Sequence, residues 1–103
     1  MGGRRRGMFR GRVLVVSAER EGREAIASLL VGEGFDVSAF ESDEEARAWA
    51  SDLIERPCLA VIDLALPAMK GFDLACWLVD ASPQTKVLLT AIAGPEAPRR
   101  QGM

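Results

Sequence analysis

Residues 59–71 read LAVIDLALPAMKG, and they are the segment most informative about the fold class. Its first four residues form an unbroken apolar run that ends in a carboxylate, Asp63. Continuous apolar runs of this length are typical of strands buried on both faces of a parallel sheet. We therefore predict a strand over Leu59–Asp63, a loop over 64–70 and a helix over Gly71–Ala81.

Three further strands are predicted on either side of this stretch. Arg12–Ser17 (RVLVVS) is a second apolar run rich in β-branched residues, and Asp36–Phe40 (DVSAF) alternates between apolar and polar positions. Lys86–Ala91 (KVLLTA) is the last run of this kind. Each has the length and composition of a short strand.

Amphipathic helices are predicted between the strands. Residues 19–33 carry apolar residues at helical spacing and end near Gly34. Ser42, followed three residues later by Glu45, forms a capping box that opens a second helix. The inward faces predicted for the three helices comprise Ile26, Leu29 and Leu30, then Ala46, Trp49, Ala50, Leu53 and Ile54, then Leu74, Ala75, Leu78 and Val79.

Strands that alternate with helices through short loops predict a parallel α/β sheet with helices on both faces. In such sheets, ligands and chemistry gather where the strands end at their carboxyl termini. The predicted strand ends carry Ser17, Glu19, Glu41, Asp63 and Thr90 as their polar residues. Function is therefore expected at this edge of the sheet.

Charge is distributed unevenly along the chain. Residues 1–12 hold five arginines and no acid, whereas residues 13–93 hold 14 acids against six basic residues, a net charge of about −8. The globular part is therefore not expected to bind nucleic acid. The basic arm is interpreted as a solvated leader, with contact to a phosphate backbone or an anionic membrane as the alternative.

The chain contains no histidine and two cysteines, Cys58 and Cys76. Triads that depend on histidine are thereby excluded, and the ligand set of a zinc site is missing. Both cysteines are interpreted as buried thiols of a reducing compartment, with a disulfide as the alternative. No apolar run approaches the length of a membrane span, so a cytoplasmic protein without membrane contact through its globular part is expected.

The segment around Asp63 resembles the phosphoacceptor segment of response-regulator receiver domains. In that family the aspartate is followed four residues later by proline and eight residues later by glycine, as Pro67 and Gly71 follow it here. The similarity extends in order and spacing over residues 12–93. It implies an α/β fold with a flavodoxin-like parallel sheet and flanking helices.

The resemblance also implies roles for individual residues. Thr90, followed by the small Ala91, matches the hydroxyl-then-small pair that ends the family's fourth strand. Asp63 would accept a phosphoryl group from a sensor histidine kinase, and Thr90 would sense that group. The implied cofactor is Mg²⁺, held by Asp63, Glu19 and the backbone carbonyl of Ala65. The implied function is a receiver module in two-component signalling rather than an enzyme.

Ser17-Ala18 departs from the family pattern, since receivers carry there the acidic pair that holds Mg²⁺. Ser17 offers a weak oxygen ligand and Ala18 offers none. Glu19 is interpreted either as an inward ligand or as a solvent-facing acid of the first helical turn. Phosphoryl transfer relies on the metal, so phosphorylation is expected to be impaired. The alternatives are a phosphorylation-independent pseudo-receiver interaction module and an unrelated flavodoxin-like ligand-binding domain.

Three segments are predicted: a disordered basic arm over 1–11, the receiver-like domain over 12–93 and a loose tail over 94–103. The family continues past its fourth strand through two further helices and a strand that carries a lysine. The fold is therefore expected to be incomplete, with four strands and about three helices. The fourth strand would then be an exposed edge, through which self-association is expected.

Overall fold

Strands and helices alternate along the protein, whose computed structural model describes residues 9–51 and 56–91. In chain order the main elements are β1 (Arg12–Val16), α1 (Arg20–Gly32), β2 (Asp36–Phe40), α2 (Asp43–Ser51), β3 (Leu59–Asp63), α3 (Lys70–Ala81) and β4 (Lys86–Thr90). The four strands pair in parallel in the order β2-β1-β3-β4. For the described residues, this confirms the predicted α/β fold and its flavodoxin-like strand order.

Element boundaries agree closely with the sequence pattern. β2 and β3 have the predicted bounds, while β1 ends at Val16 and β4 ends at Thr90, each one residue early. α1 begins at Arg20 because Glu19 caps the helix, with its carboxylate accepting a hydrogen bond from the Gly22 N–H at 2.8 Å. Such a cap satisfies one of the amide donors that a helix start leaves without a partner.

Part of the predicted α2 face lies outside the described residues. The Ser42 hydroxyl accepts a hydrogen bond from the Glu45 N–H at 3.2 Å, which is one half of the predicted capping box. α2 is described as far as Ser51, so Leu53 and Ile54 are outside the description. The predicted tail over 94–103 and residues 1–8 of the basic arm are outside it as well.

The segment predicted as a plain loop between β3 and α3 contains a 3₁₀ turn over Pro67–Met69. Ala68 and Met69 both have a left-handed backbone, with φ of 58° and 60°. This conformation costs a residue with a Cβ about 1–2 kcal/mol. α3 then begins at Lys70, one residue earlier than predicted.

The sheet carries a hydrophobic cluster on each face. The first lies under α2 and α3 and consists of buried Leu14, Val16, Ala46, Ala60, Ile62, Leu66, Leu74, Ala75 and Leu78. The second lies under α1 and consists of buried Val13, Val15 and Val61, against which half-buried Ile26 and Leu30 pack. The two faces are therefore covered unequally.

Four of the predicted burials are wrong. Leu29 is 66% exposed and Val79 is 58% exposed, although both were expected to face inward. Cys58 and Cys76 are also exposed. Cys58 precedes β3 at the amino edge of the sheet, and Cys76 lies on α3 beside the inward residues rather than among them. Among the described residues, no helix has the length and apolar character that a membrane crossing needs.

Candidate functional site

Three polar residues meet where the parallel strands end. Ser17 follows β1 directly, Asp63 is the last residue of β3, and Thr90 is the last residue of β4. Asp63 and Thr90 are partners in the strand register, and the Leu64 N–H donates to the Thr90 carbonyl at 2.7 Å. The structure thus brings the two residues predicted at the site, Asp63 and Thr90, to one edge of the sheet.

Asp63 is almost completely enclosed, with 2% of its surface exposed. Its Oδ2 accepts a hydrogen bond from the Ser17 hydroxyl at 2.9 Å. Its Oδ1 accepts a hydrogen bond from the Ala65 N–H, also at 2.9 Å. Hydrogen bonds to a carboxylate are stronger than those between neutral groups, so both contacts hold the side chain in place.

Ser17 joins four elements at this point and is itself fully buried. Its hydroxyl accepts a hydrogen bond from the Glu19 N–H at 3.0 Å while donating to Asp63. Its backbone N–H donates to the Phe40 carbonyl at 3.1 Å, and its own carbonyl accepts from Arg23 Nη1 at 2.9 Å. Ser17 therefore links β3, β2 and α1 to the end of β1.

Glu19, the remaining acid at the end of β1, directs its carboxylate to the start of α1. One of its oxygens accepts from the Gly22 N–H at 2.8 Å. The amino end of a helix favours negative charge, which suits this arrangement. Within residues 9–51 and 56–91, no three acidic, cysteine or histidine side chains gather as a ligand set for a metal ion.

The structure explains why a glycine, Gly71, follows Asp63 at a distance of eight residues. Gly71 is buried, and a Cβ at this position would run into the carbonyl oxygen of Asp63. A residue without a side chain is therefore required where the first turn of α3 approaches the end of β3. The glycine eight residues after Asp63 is thus a condition for the close packing of α3 beside the site.

A cavity of about 300 Å³ opens beside the site. It is lined by Ala18, Glu41, Ser42, Asp43, Glu44, Leu66, Pro67 and Lys70. Asp43 in its wall is only 8% exposed and lies 3.5 Å from Arg47 Nε and 4.0 Å from Lys70 Nζ. Sequence reasoning missed this charge cluster, although the capped start of α2 already placed Asp43 at that end of the sheet.

A receiver-type domain is the class of protein defined by this strand order, with an enclosed aspartate ending β3 and a hydroxyl residue ending β4. The model of the response regulator receiver domain matches residues 13–103. The chain belongs to this family, whose members are receiver modules of two-component signalling.

Known proteins similar to the chain come from several organisms. The DNA-binding response regulator MtrA of Mycobacterium tuberculosis is 37% identical over 83 residues, which are 81% of this chain and 36% of MtrA. The chain therefore spans little more than a third of that relative. The response regulator TrrA of Thermotoga maritima, solved in complex with Mg²⁺-BeF, superposes with a TM-score of 0.65 at 28% identity. That superposition covers 76% of this chain and 66% of TrrA.

A second solved structure contains a signalling partner. It is the histidine kinase ThkA in complex with TrrA, and it matches with a TM-score of 0.65 at 25% identity. The match covers 89% of this chain and 75% of the chain it superposes on. TrrA has thus been solved both with Mg²⁺-BeF and with a histidine kinase.

The residues of this chain do not fit the Mg²⁺ ion that the family implies. Mg²⁺ demands a near-octahedral set of oxygen ligands and in proteins is held mainly through carboxylates. Ser17 and Ala18 supply no carboxylate, and the Glu19 carboxylate caps α1. Both oxygens of Asp63 already accept hydrogen bonds from the protein. The described residues around Asp63 therefore lack the carboxylates that a Mg²⁺ site needs.

Proposed function

We propose that this chain acts as the receiver module of a two-component phosphorelay and that its phosphorylation is impaired. The single observation that carries the proposal is the Asp63 carboxylate, which ends β3 at the functional edge of the sheet but is 2% exposed. By resemblance to the family, its position corresponds to the phosphoacceptor, and we expect its enclosure by Ser17 and Ala65 to oppose the reaction.

In the proposed reaction, an Asp63 oxygen forms a bond to phosphorus while the bond between phosphorus and its donor breaks. Thr90 is proposed to sense the phosphoryl group, since it lies beside Asp63 in the strand register. Charge between the two anions must be neutralised by a cation. The family resemblance implies Mg²⁺ held by Asp63, Glu19 and the Ala65 carbonyl, but the Glu19 carboxylate caps α1. We therefore expect transfer to be slow.

Labelling with acetyl phosphate in the presence of Mg²⁺ tests this proposal. Unmodified protein should label weakly, and Ser17→Asp combined with Ala18→Asp should raise both Mg²⁺ affinity and labelling, because two carboxylates are returned to the site. Adding Asp63→Asn should abolish the signal, whereas Asp73→Asn, at an exposed acid of α3, should leave it unchanged. Strong Mg²⁺-dependent labelling of unmodified Asp63 would contradict the impairment.

A second candidate function is a pseudo-receiver module that binds its partner without phosphorylation. The hydrogen bond from Ser17 to Asp63 favours it, because it satisfies the carboxylate without a metal. The proposed partner is a sensor histidine kinase or another signalling protein. Binding of kinase cores from the same genome, compared between unmodified protein and Asp63→Asn, separates the two functions. Equal binding and no phosphotransfer would favour the pseudo-receiver.

The proposed partners also include a second copy of the chain and exclude nucleic acid for the acidic globular part. In the described sheet β4 is an edge strand, with Leu88 54% and Leu89 38% exposed. Antiparallel pairing centred on Leu88 would place Lys86 opposite Thr90 of the other copy, so like charges would not meet. Light scattering should detect a dimer that Leu88→Lys weakens by placing two charges together at its centre. A monomer at high concentration would contradict this pairing.

A further inference from the structure

We propose that the Ser17 hydroxyl is a built-in substitute for a metal ion at Asp63, which it keeps closed to cations by holding Oδ2. This inference rests on the proposed function only in that Asp63 is the residue of the site. In this inference Ser17 does more than lack the carboxylate of an acid, because its hydroxyl competes with a metal ion for Asp63.

The surroundings of Ser17 fix the direction in which its hydroxyl donates. The Glu19 N–H donates to the hydroxyl oxygen at 3.0 Å and so occupies one of its lone pairs. The single hydroxyl proton is then directed to Asp63 Oδ2, 2.9 Å away. Because a serine hydroxyl has one proton to donate, this geometry uses its donor completely.

Burial makes this hydrogen bond difficult to exchange for a cation. Ser17 is 0% exposed and Asp63 is 2% exposed, so water does not compete freely for either group. Oδ2 has two acceptor positions. A cation that takes the position on the Ser17 side must displace the hydroxyl, which would leave a buried donor without an acceptor. The Arg23 guanidinium, bound to the Ser17 carbonyl at 2.9 Å, further anchors the residue against such a shift.

Three roles for Ser17 predict three different effects of Ser17→Ala on Mg²⁺ binding. If Ser17 is a weak ligand, the substitution lowers affinity. If only the missing acids matter, affinity is unchanged. If Ser17 competes with the metal, affinity rises by about tenfold or more, the size expected when a hydrogen bond to a charged group is removed.

The experiment is a Mg²⁺ titration followed on the amide resonance of Ala65, which donates to Asp63 Oδ1. Ser82→Ala is the matched control, because Ser82 is a buried serine, 1% exposed, whose hydroxyl pairs with Thr85 at 2.6 Å. We expect tighter binding in Ser17→Ala and none of this gain in Ser82→Ala. Unchanged or weaker binding in Ser17→Ala overturns the proposal, including no binding in either protein.

A measurement on the unmodified protein covers the case in which Ser17→Ala does not fold. The Ser17 hydroxyl proton should exchange slowly with solvent and give an observable resonance, whereas that of exposed Ser28 on α1 should not. Exchange of Ser17 as fast as that of Ser28 overturns the proposal. Neither measurement uses a phosphodonor or a partner, so failure here is distinct from failure of the phosphorelay proposal.

Discussion

The two faces of the sheet differ in how many side chains are buried against them. Among residues 9–51 and 56–91, the cluster on the α2/α3 face has nine buried residues, whereas the cluster on the α1 face has three buried valines. α1 itself contains no fully buried residue, although it is the longest helix described. Since buried apolar area is the main source of stability, the α2/α3 face is expected to dominate the free energy of unfolding.

The register of β3 and β4 locates where cover on the α1 face ends. Val61 and Leu88 are partners across the two strands and therefore share this face. Val61 is 4% exposed and Leu88 is 54% exposed. Among the described residues, cover thus ends between β3 and β4. An amphipathic helix buries only the strands against which it packs. The apolar pattern of α1 therefore does not predict which residues on this face of the sheet remain exposed.

The largest effect is expected from opening the α2/α3 face. Leu74→Ala removes a fully buried side chain of α3 and should lower the free energy of unfolding by about 2–5 kcal/mol. Leu29→Ala is the matched change on α1 and should stay within about 0.5 kcal/mol, because Leu29 is 66% exposed. Urea unfolding of both variants measures the contrast. Equal losses would mean that the two faces contribute alike.

An intermediate effect is expected from Leu30→Ala, which truncates a half-buried side chain that α1 packs on the valine cluster. Leu30 is only partly buried, so the free energy of unfolding should fall by about 1 kcal/mol, less than for a fully buried leucine. The same urea series places this variant between the other two. A loss as large as that of Leu74→Ala would show that Leu30 is buried more completely against the valine cluster than its exposure indicates.

The smallest effect is expected in the turn that leads into α3. Ala68 has φ of 58°, a conformation that glycine adopts without the steric cost of a Cβ. Ala68→Gly should raise stability by about 0.5 kcal/mol, because relief of strain is partly offset by the greater freedom of glycine in the unfolded chain. Ala27→Gly within α1 is the control, and it should destabilise. A decrease for Ala68→Gly in thermal melts would contradict the strained turn.

Sequence reasoning predicted the fold well because short apolar runs mark three strands, alternation marks β2, and short connecting loops leave few topologies. It did not identify the buried face of α3 correctly, because residues 74–79 read LACWLV and are apolar on all sides of the helix. Periodicity could not separate buried Leu78 from exposed Val79 in such a run. The positive φ of Ala68 also escaped prediction, because alanine gives no signal for a left-handed backbone.

The candidate site was predicted only in part. Asp63 and Thr90 were found from their places at strand ends, and the structure brings them together at one edge. Ser17 was interpreted through the acid that it replaces, so its hydrogen bond to Asp63 was missed. That contact joins residues 46 positions apart and depends on the spacing of β1 and β3, which no local pattern encodes.

Gly71 lets the start of α3 pack directly against the end of β3. With no side chain between them, the first turn of the helix lies directly on the Asp63 carbonyl. Close-packed groups transmit displacement instead of absorbing it. We therefore expect that a shift of the Asp63 backbone displaces the start of α3. Conversely, a partner that binds the exposed side of α3 and moves this helix would displace Asp63.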